Sequence, residues 1–361
     1  MTNNSRRDVL AGMGAGFAVL TLDPLPGLAA GWGKRPITLV IQYSEGGGTD
    51  TIIRSLGQAL EKQLGVNIRA VNQPGAVGSV ATQFVKSKPA SGQWMLGGAE
   101  YNKFFRVLGY GDDAPWRTWQ FLKVGTSIPA WGVAPNSRFK SLADVIEAAK
   151  AQPGKIKISN AGIGSIWHEA TLVALERGTG AKFTHVPYKG GAPATLAVLQ
   201  GEADVVASGV HEQIEYIRSG KVRNLAVFKD KPLAVPGVTE PLTPVSKDVP
   251  SAVELGLLHG VYAVGLKRDT DPEIVRKVHD AVKKAVDDPA FVKVLQGRVM
   301  FPEFKGGAEA DREAALFESI TSWLFWDQKM ASVKRNPADL GIPRPGDFAA
   351  WWPPKDYKPV L

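Results

Sequence analysis

Two periods of apolar residues alternate along this chain, and the switches between them fall at glycines. Ile37, Leu39 and Ile41, with Val40 between them, form a short apolar run of the kind a buried strand uses. Residues 44–49 break that run with three glycines, and from Thr51 onward Ile52, Ile53, Leu56, Leu60 and Leu64 recur at helical spacing. The unit reads strand, glycine loop, helix. It starts again at residues 67–71, where a second strand leads through the glycine-rich turn 72–79 to a helix carrying Val80, Phe84 and Val85; a third strand covers 94–98. Successive βα units predict a parallel sheet with crossover helices.

Residues 99–122 are rich in aromatics with mixed periodicity, and a strand is expected at 130–134. Ser141 and Asp144 then stand at capping-box spacing before a helix. Residues 155–159 alternate like a strand and enter a third glycine loop, 160–165, followed by a helix with Trp167, Ala170, Val173 and Leu175. Strands are expected at 183–188, 204–208 and 225–228, with helices at 195–199 and around Ile214 and Ile217. Pro232, Pro236, Pro241, Pro244 and Pro250 mark a crossing segment. After it come a strand at 259–266, a helix opened by Asp271-Pro272-Glu273, another helix from Pro289 and a third near 308–332. The pattern divides the chain into one domain from 34–130 plus 233–330, a second from 131–232, and a proline- and tryptophan-rich tail from 331–361.

Composition narrows the function. The chain has no cysteine, which excludes disulfides, thiolate metal sites and a cysteine nucleophile. The net charge of +8 is spread without basic runs, so a nucleic-acid partner is not expected. Residues 1–30 have the three parts of an export signal: the twin-arginine core Arg6-Arg7, an apolar stretch from Val9 to Leu22, and small residues at Ala29-Ala30. No later run reaches the ~18 apolar residues of a membrane span. The expected place of action is the periplasm.

The glycine loops carry the candidate chemistry. Glycine lets backbone approach a ligand closely, and the free N–H groups of a first helical turn attract a small anion. A tight βα turn without a ligand fits the same residues. Asp50 also fits a helix-start carboxylate, His185 a structural histidine and Trp167 core packing. A serine hydrolase built on Ser165 with His168, His185 and Asp204 is the rival class, but Ser165 lacks the Gly-x-Ser-x-Gly frame of a nucleophile elbow. No metal or cofactor is implied.

Four stretches then resemble one family. YSEGGGTD at 43–50, VNQPGAVGS at 71–79, ISNAGIGSIWHEA at 158–170 and HVPYKGGAPATLAVLQGEADVV at 185–206 follow the motifs of Bug-type solute-binding proteins, the extracytoplasmic component of tripartite tricarboxylate transporters. The resemblance runs from about residue 36 to about residue 307. It implies an α/β, two-domain, Venus-flytrap-like periplasmic binding protein, each domain a mostly parallel sheet flanked by helices. It further implies that backbone and hydroxyl groups of the first and third loops hold a carboxylate of the ligand. Those are Ser44, Gly46, Gly47, Gly48, Thr49 and Asp50, and Ala161, Gly162, Gly164 and Ser165. Ser208 would meet the far end of the ligand, and Gly98, Ala99 and Glu100 stand where the family has a small, hydroxyl-rich loop. Glu45 replaces the usual proline before the glycines and would repel an anion unless it faces solvent. Trp167 and Trp131 are unusually large for their places and suggest walls for an aromatic acid. The implied partners are a small organic carboxylate and the membrane components of the transporter; a sensor that feeds a signalling partner is an alternative.

Overall fold

The computed structural model describes residues 32–254 and 259–361, so the expected export signal lies outside the described residues. Two mixed sheets, each covered by helices, make up the fold. The first orders its strands β11 (Phe301–Lys305), β4 (Trp119–Ser127), β10 (Gly260–Lys267), β3 (Trp94–Ala99), β1 (Ile37–Ile41) and β2 (Ile68–Asn72). The second runs β7 (Thr184–Pro187), β6 (Lys157–Asn160), β8 (Val205–Gly209), β5 (Pro129–Val133) and β9 (Arg223–Val227). The chain crosses between the sheets at 128, from β4 to β5, and again through the proline-rich segment after β9.

Alternation within β1 sets up the first domain. Ile37, Leu39 and Ile41 face a core shared with α1 (Gly48–Leu64) through Ile52, Leu56 and Leu60. Val40 faces the opposite layer with Leu96, Trp119 and Phe121. The helices that follow are α2 (Ser79–Lys86), α3 (Pro115–Thr118), α4 (Leu142–Ala151), α5 (Ile166–Thr171), α6 (Gly191–Leu199) and α7 (Val210–Arg218). Past the second crossing come α8 (Ser251–Glu254), α9 (Pro272–Val286), α10 (Pro289–Gly297), α11 (Gly307–Asp327) and α12 (Phe348–Trp351). The Ser141/Asp144 capping box forms, and α5 runs on into one π-helical segment at Leu172–Arg177. No helix among the described residues is long and apolar enough to cross a membrane.

Three features depart from the sequence pattern. The sheets are mixed rather than mostly parallel: β1 pairs in parallel with β2 and β3, and β6 with β7 and β8, but β10, β4, β11, β5 and β9 join antiparallel. The antiparallel strands flank the two chain crossings, where no crossover helix restores the strand direction. Second, β4 begins at Trp119, inside the aromatic stretch that hid its period, and β11 is an unanticipated edge strand. Third, α6 begins at Gly191, because Pro193 is compatible with a first helical turn.

The aromatic stretch does not belong to one core. Tyr101 packs in the first domain, whereas Phe104, Phe105 and Leu108 sit in the core of the second. Helix α11 makes the same crossing, with Ala314 and Ala315 in the first domain and Leu324 and Phe325 in the second. The tail packs back on the first domain, with Trp351, Trp352 and Tyr357 edge-on around Trp116.

Candidate functional site

Between the two sheets lies a small cavity of about 20 Å³, room for about a water molecule as the domains stand. The start of α1 (Gly47, Gly48, Thr49) and Tyr43 line it from the first domain, and Ala161, Ser165 and Trp167 at the start of α5 line it from the second. Ala99, Glu100, Gly190, Gly191, Glu212, Gly260, Val261 and Tyr262 complete it. The start of α7 lies against it too, because Glu212 sits in that helix's first turn. A wider vestibule shares Tyr43 and Ala161 with this cavity and opens past Val77, Gly162 and Tyr188.

Two glutamates reach helix N-termini across the cleft, in opposite directions. Glu212, on the second domain, accepts from the Gly48 amide at 3.3 Å with Oε1 and from its own helix start, the Gly209 amide, at 2.9 Å with Oε2. The Gly191 amide also donates to it, so three helix starts converge on one carboxylate. Glu100, on the first domain, accepts from the Ile166 amide of α5 at 3.2 Å with Oε2. Burial pushes both carboxyls up to about 7, against these amide bonds and, for Glu100, against the nearby Lys103 ammonium.

Glycine makes the Glu212 arrangement sterically possible. A Cβ on Gly191 would stand 1.8 Å from Glu212 Oε2, and one on Gly48 would stand 2.0 Å from His211 Nε2. Backbone strain positions Glu100 instead: Glu100, Tyr101 and Asn102 all have left-handed backbone, at φ 60°, 51° and 58°. Such conformations cost of order 1–3 kcal/mol each in non-glycine residues and persist only where the surroundings fix them. Gln42 does the fixing. Its Oε1 accepts from the Ala99 amide at 2.9 Å, and its Nε2 donates to Asn102 Oδ1 at 2.6 Å and to Thr82 Oγ1 at 2.9 Å.

Further contacts close the domains on each other. Tyr262 Oη and His211 Nε2 are 3.2 Å apart. Ser44 donates through its amide and its hydroxyl to the Lys189 carbonyl. Lys103 forms a buried ion pair with Glu169, whose other oxygen accepts from Thr321 of α11 at 2.9 Å. Burial pushes the His211 imidazole down to about 3, so it is neutral. The Tyr43 and Tyr262 hydroxyls are raised well above their usual value by burial and by the neighbouring carboxylates.

Of the residues singled out in the sequence, the structure gathers Gly47, Gly48, Thr49, Ala99, Glu100, Ala161, Ser165 and Trp167 at the cavity. The others lie elsewhere. Asp50 is tied to the Gly46 amide, Arg54 and Asn72, so it braces the first loop; Gly46 is exposed. Gly162 lines the vestibule. Gly164 faces Leu108, Phe104 and Phe325 rather than the cavity. Ser208 is spent inside its own domain on Thr195 and Gln213. Trp131 is fully buried in the second core, where its indole donates to Thr171, so it forms no wall of the cleft. Glu45 is exposed; the carboxylate at the start of α1 is that of Glu212 instead. Ser165 Oγ accepts from the His168 amide at 3.4 Å and caps α5, while His168 Nδ1 accepts from the Gly164 amide. His185 pairs with Glu176, so neither histidine is free to act as a base on that serine.

Glu212, Tyr43, Tyr262 and the Gly190-Gly191 pair were not anticipated as site residues. Glu212 had a usable signal: an acid three residues after a helix start reaches back to the terminal amides. Tyr262 had none, because one tyrosine within an apolar strand looks like core.

Comparison with known proteins fits this architecture. The family model described as "Tripartite tricarboxylate transporter family receptor" matches residues 52–309. The UPF0065 protein in the gbd 5′ region of Cupriavidus necator is 30% identical over 84% of this chain and 91% of its own length. Protein BugT of Bordetella pertussis is 27% identical over 74% of this chain and 81% of its own. Among solved structures, R. palustris Rpa4515 with adipate shares the fold with a TM-score of 0.71 at 22% identity, covering 87% of this chain and 99% of its own. The match over residues 52–309 takes in most of both sheets and the starts of α5, α6 and α7, and with it the chain belongs to the tripartite tricarboxylate transporter receptor family.

Proposed function

We propose that this chain is a periplasmic receptor that captures a small organic carboxylate between its two domains and presents it to the membrane components of a tripartite transporter. The domains are 34–130 with 233–330, and 131–232. Export uses the twin-arginine segment at the N-terminus. One observation carries the reading: the N-termini of α1 and α5, from opposite domains, face one enclosed cavity. The first-turn amides of Thr49 and Trp167 have no partner within their own helices, and they offer an anion the positive ends of two helix dipoles. The adipate bound to the structural neighbour is a solute of the expected class. Trp167 adds an apolar wall for the solute's carbon skeleton. No cofactor takes part.

Thermal-shift and calorimetric screening tests the proposal with mono-, di- and tricarboxylates, amino acids, aromatic acids and neutral sugars. At least one carboxylate-bearing solute is expected to raise the melting temperature and to bind with a one-to-one stoichiometry. Binding of sugars with no response to any carboxylate would refute it.

A further inference from the structure

Among the described residues, the cavity is lined by two carboxylates and by no lysine or arginine. The nearest buried ammonium, Lys103, is already paired with Glu169. His211 is buried and neutral. A solute that brought only carboxylates would therefore meet Glu100 at one side and Glu212 at the other, with no cation in the lining; Lys103 offsets part of the Glu100 charge from behind but is committed to Glu169. Like charges that close in a water-poor cleft repel strongly. The two glutamates are also unequally engaged. Glu212 has amide partners on both oxygens, whereas among the described residues no donor reaches Glu100 Oε1. That oxygen is an acceptor at the cavity wall with its bonding capacity unused.

We infer that Glu100 and Glu212 determine specificity, selecting a solute that carries an ammonium or similar cationic donor beside its carboxylate. The inference rests on reading the cleft as the solute site. The solute's carboxylate would take the first-turn amides of Thr49 and Trp167. Its ammonium would donate to Glu100 Oε1 and face the Glu212 carboxylate, one cation placed between two acids. The arrangement explains why the chain spends a strained left-handed turn and two alanine-intolerant glycines on holding acids in an anion receptor.

The test compares solutes of matched length at pH 8, above the value of about 7 to which burial raises both glutamates: adipate against 6-aminohexanoate, and glutarate against glutamate. Calorimetry should show the amino-bearing member of each pair binding at least tenfold tighter. Glu100→Gln and Glu212→Gln, each checked for native fold by circular dichroism, should each cut that preference by tenfold or more. Because Glu212 is tied to three helix starts, Glu100→Gln carries the test alone if the other variant fails to fold. Equal or tighter binding of the dicarboxylates by the parent protein would overturn this inference and leave the receptor reading standing. A preference that survives in a folded Glu100→Gln variant would overturn it as well. Binding of none of the four solutes, with binding of simple monocarboxylates, would overturn it too, whereas silence toward every carboxylate would remove the receptor reading itself.

Discussion

The starts of α1 and α5 follow the same local rule and end with different hardware. Each is a strand, a glycine loop and a helix, and each receives a glutamate from the opposite domain. At α1 the visiting acid is Glu212, which sits in an unstrained helical turn and is shared with two other helix starts. At α5 the visitor is Glu100, which sits on a left-handed turn braced by Gln42 and has one amide partner. Glu212 thus behaves as a built-in anion, fully engaged, while Glu100 keeps an acceptor to spare. The difference teaches that a glycine loop before a helix identifies an anion site without saying whose anion fills it.

The largest expected effect comes from removing the cation on the Glu100 side. Lys103→Met leaves Glu169 buried and uncompensated, and urea denaturation should register a loss of about 3–5 kcal/mol. Next comes the Glu212 side. Gly191→Ala drives a methyl into Glu212 and should cost about 1–3 kcal/mol, the range for overpacking a tight contact, whereas Gly297→Ala, in α10 with open space around it, should cost less. Equal losses at the two glycines would show that close approach is not what Gly191 provides. Ser165→Ala removes a helix cap and should lower stability by roughly 0.5–2 kcal/mol whether or not solute is present. An effect on affinity at unchanged stability would instead make Ser165 a solute contact.

The subtlest prediction concerns pH. An unfolded glutamate takes its proton near 4.5 and the folded Glu212 near 7, so the folded state binds the extra proton between those values. Glu212 therefore costs nothing extra at the acid end of that range, and its cost grows as pH rises through 7. His211 and His168, both pushed down by burial, act in the opposite direction, and Glu100, Tyr43 and Tyr262 face the same cleft. Comparing Glu212→Gln with the parent cancels those shared groups to first order. The variant's melting temperature should gain on the parent's between pH 5 and pH 8. A constant difference would mean that Glu212 is ionised throughout.

Much of this was legible in the chain itself. Ile37, Leu39 and Ile41 against Val40 announced β1, and the helical spacing from Ile52 announced α1, because both buried faces repeat a simple period. The α1 and α5 loops were legible as anion sites for the same reason: glycines and helix starts are local signals. Glu212 was missed as a site residue because its partners at Gly48 and Gly191 are far away in sequence. The strain at Glu100 was invisible because it is imposed by Gln42, nearly sixty residues earlier. Trp131 misled, since a tryptophan at a strand's end can turn into either core or cleft, and only the packing of β5 decides which.

Helix α11 sets the mechanics of opening. It is anchored in both cores, at Ala314 and Ala315 on one side and Phe325 on the other, and the chain beyond it is pinned by the Lys334 and Arg335 amides to the Val107 carbonyl. The opposite edge is held at Ser44 and Lys189 by hydrogen bonds that water can replace. Were the domains to separate, these contacts would make α11 the spine of the movement and the Ser44 edge its fore-edge. A solute would enter at the fore-edge, through the vestibule beside Tyr188, and the pages would part least at Lys103 and Glu169, the pair bound closest to the spine.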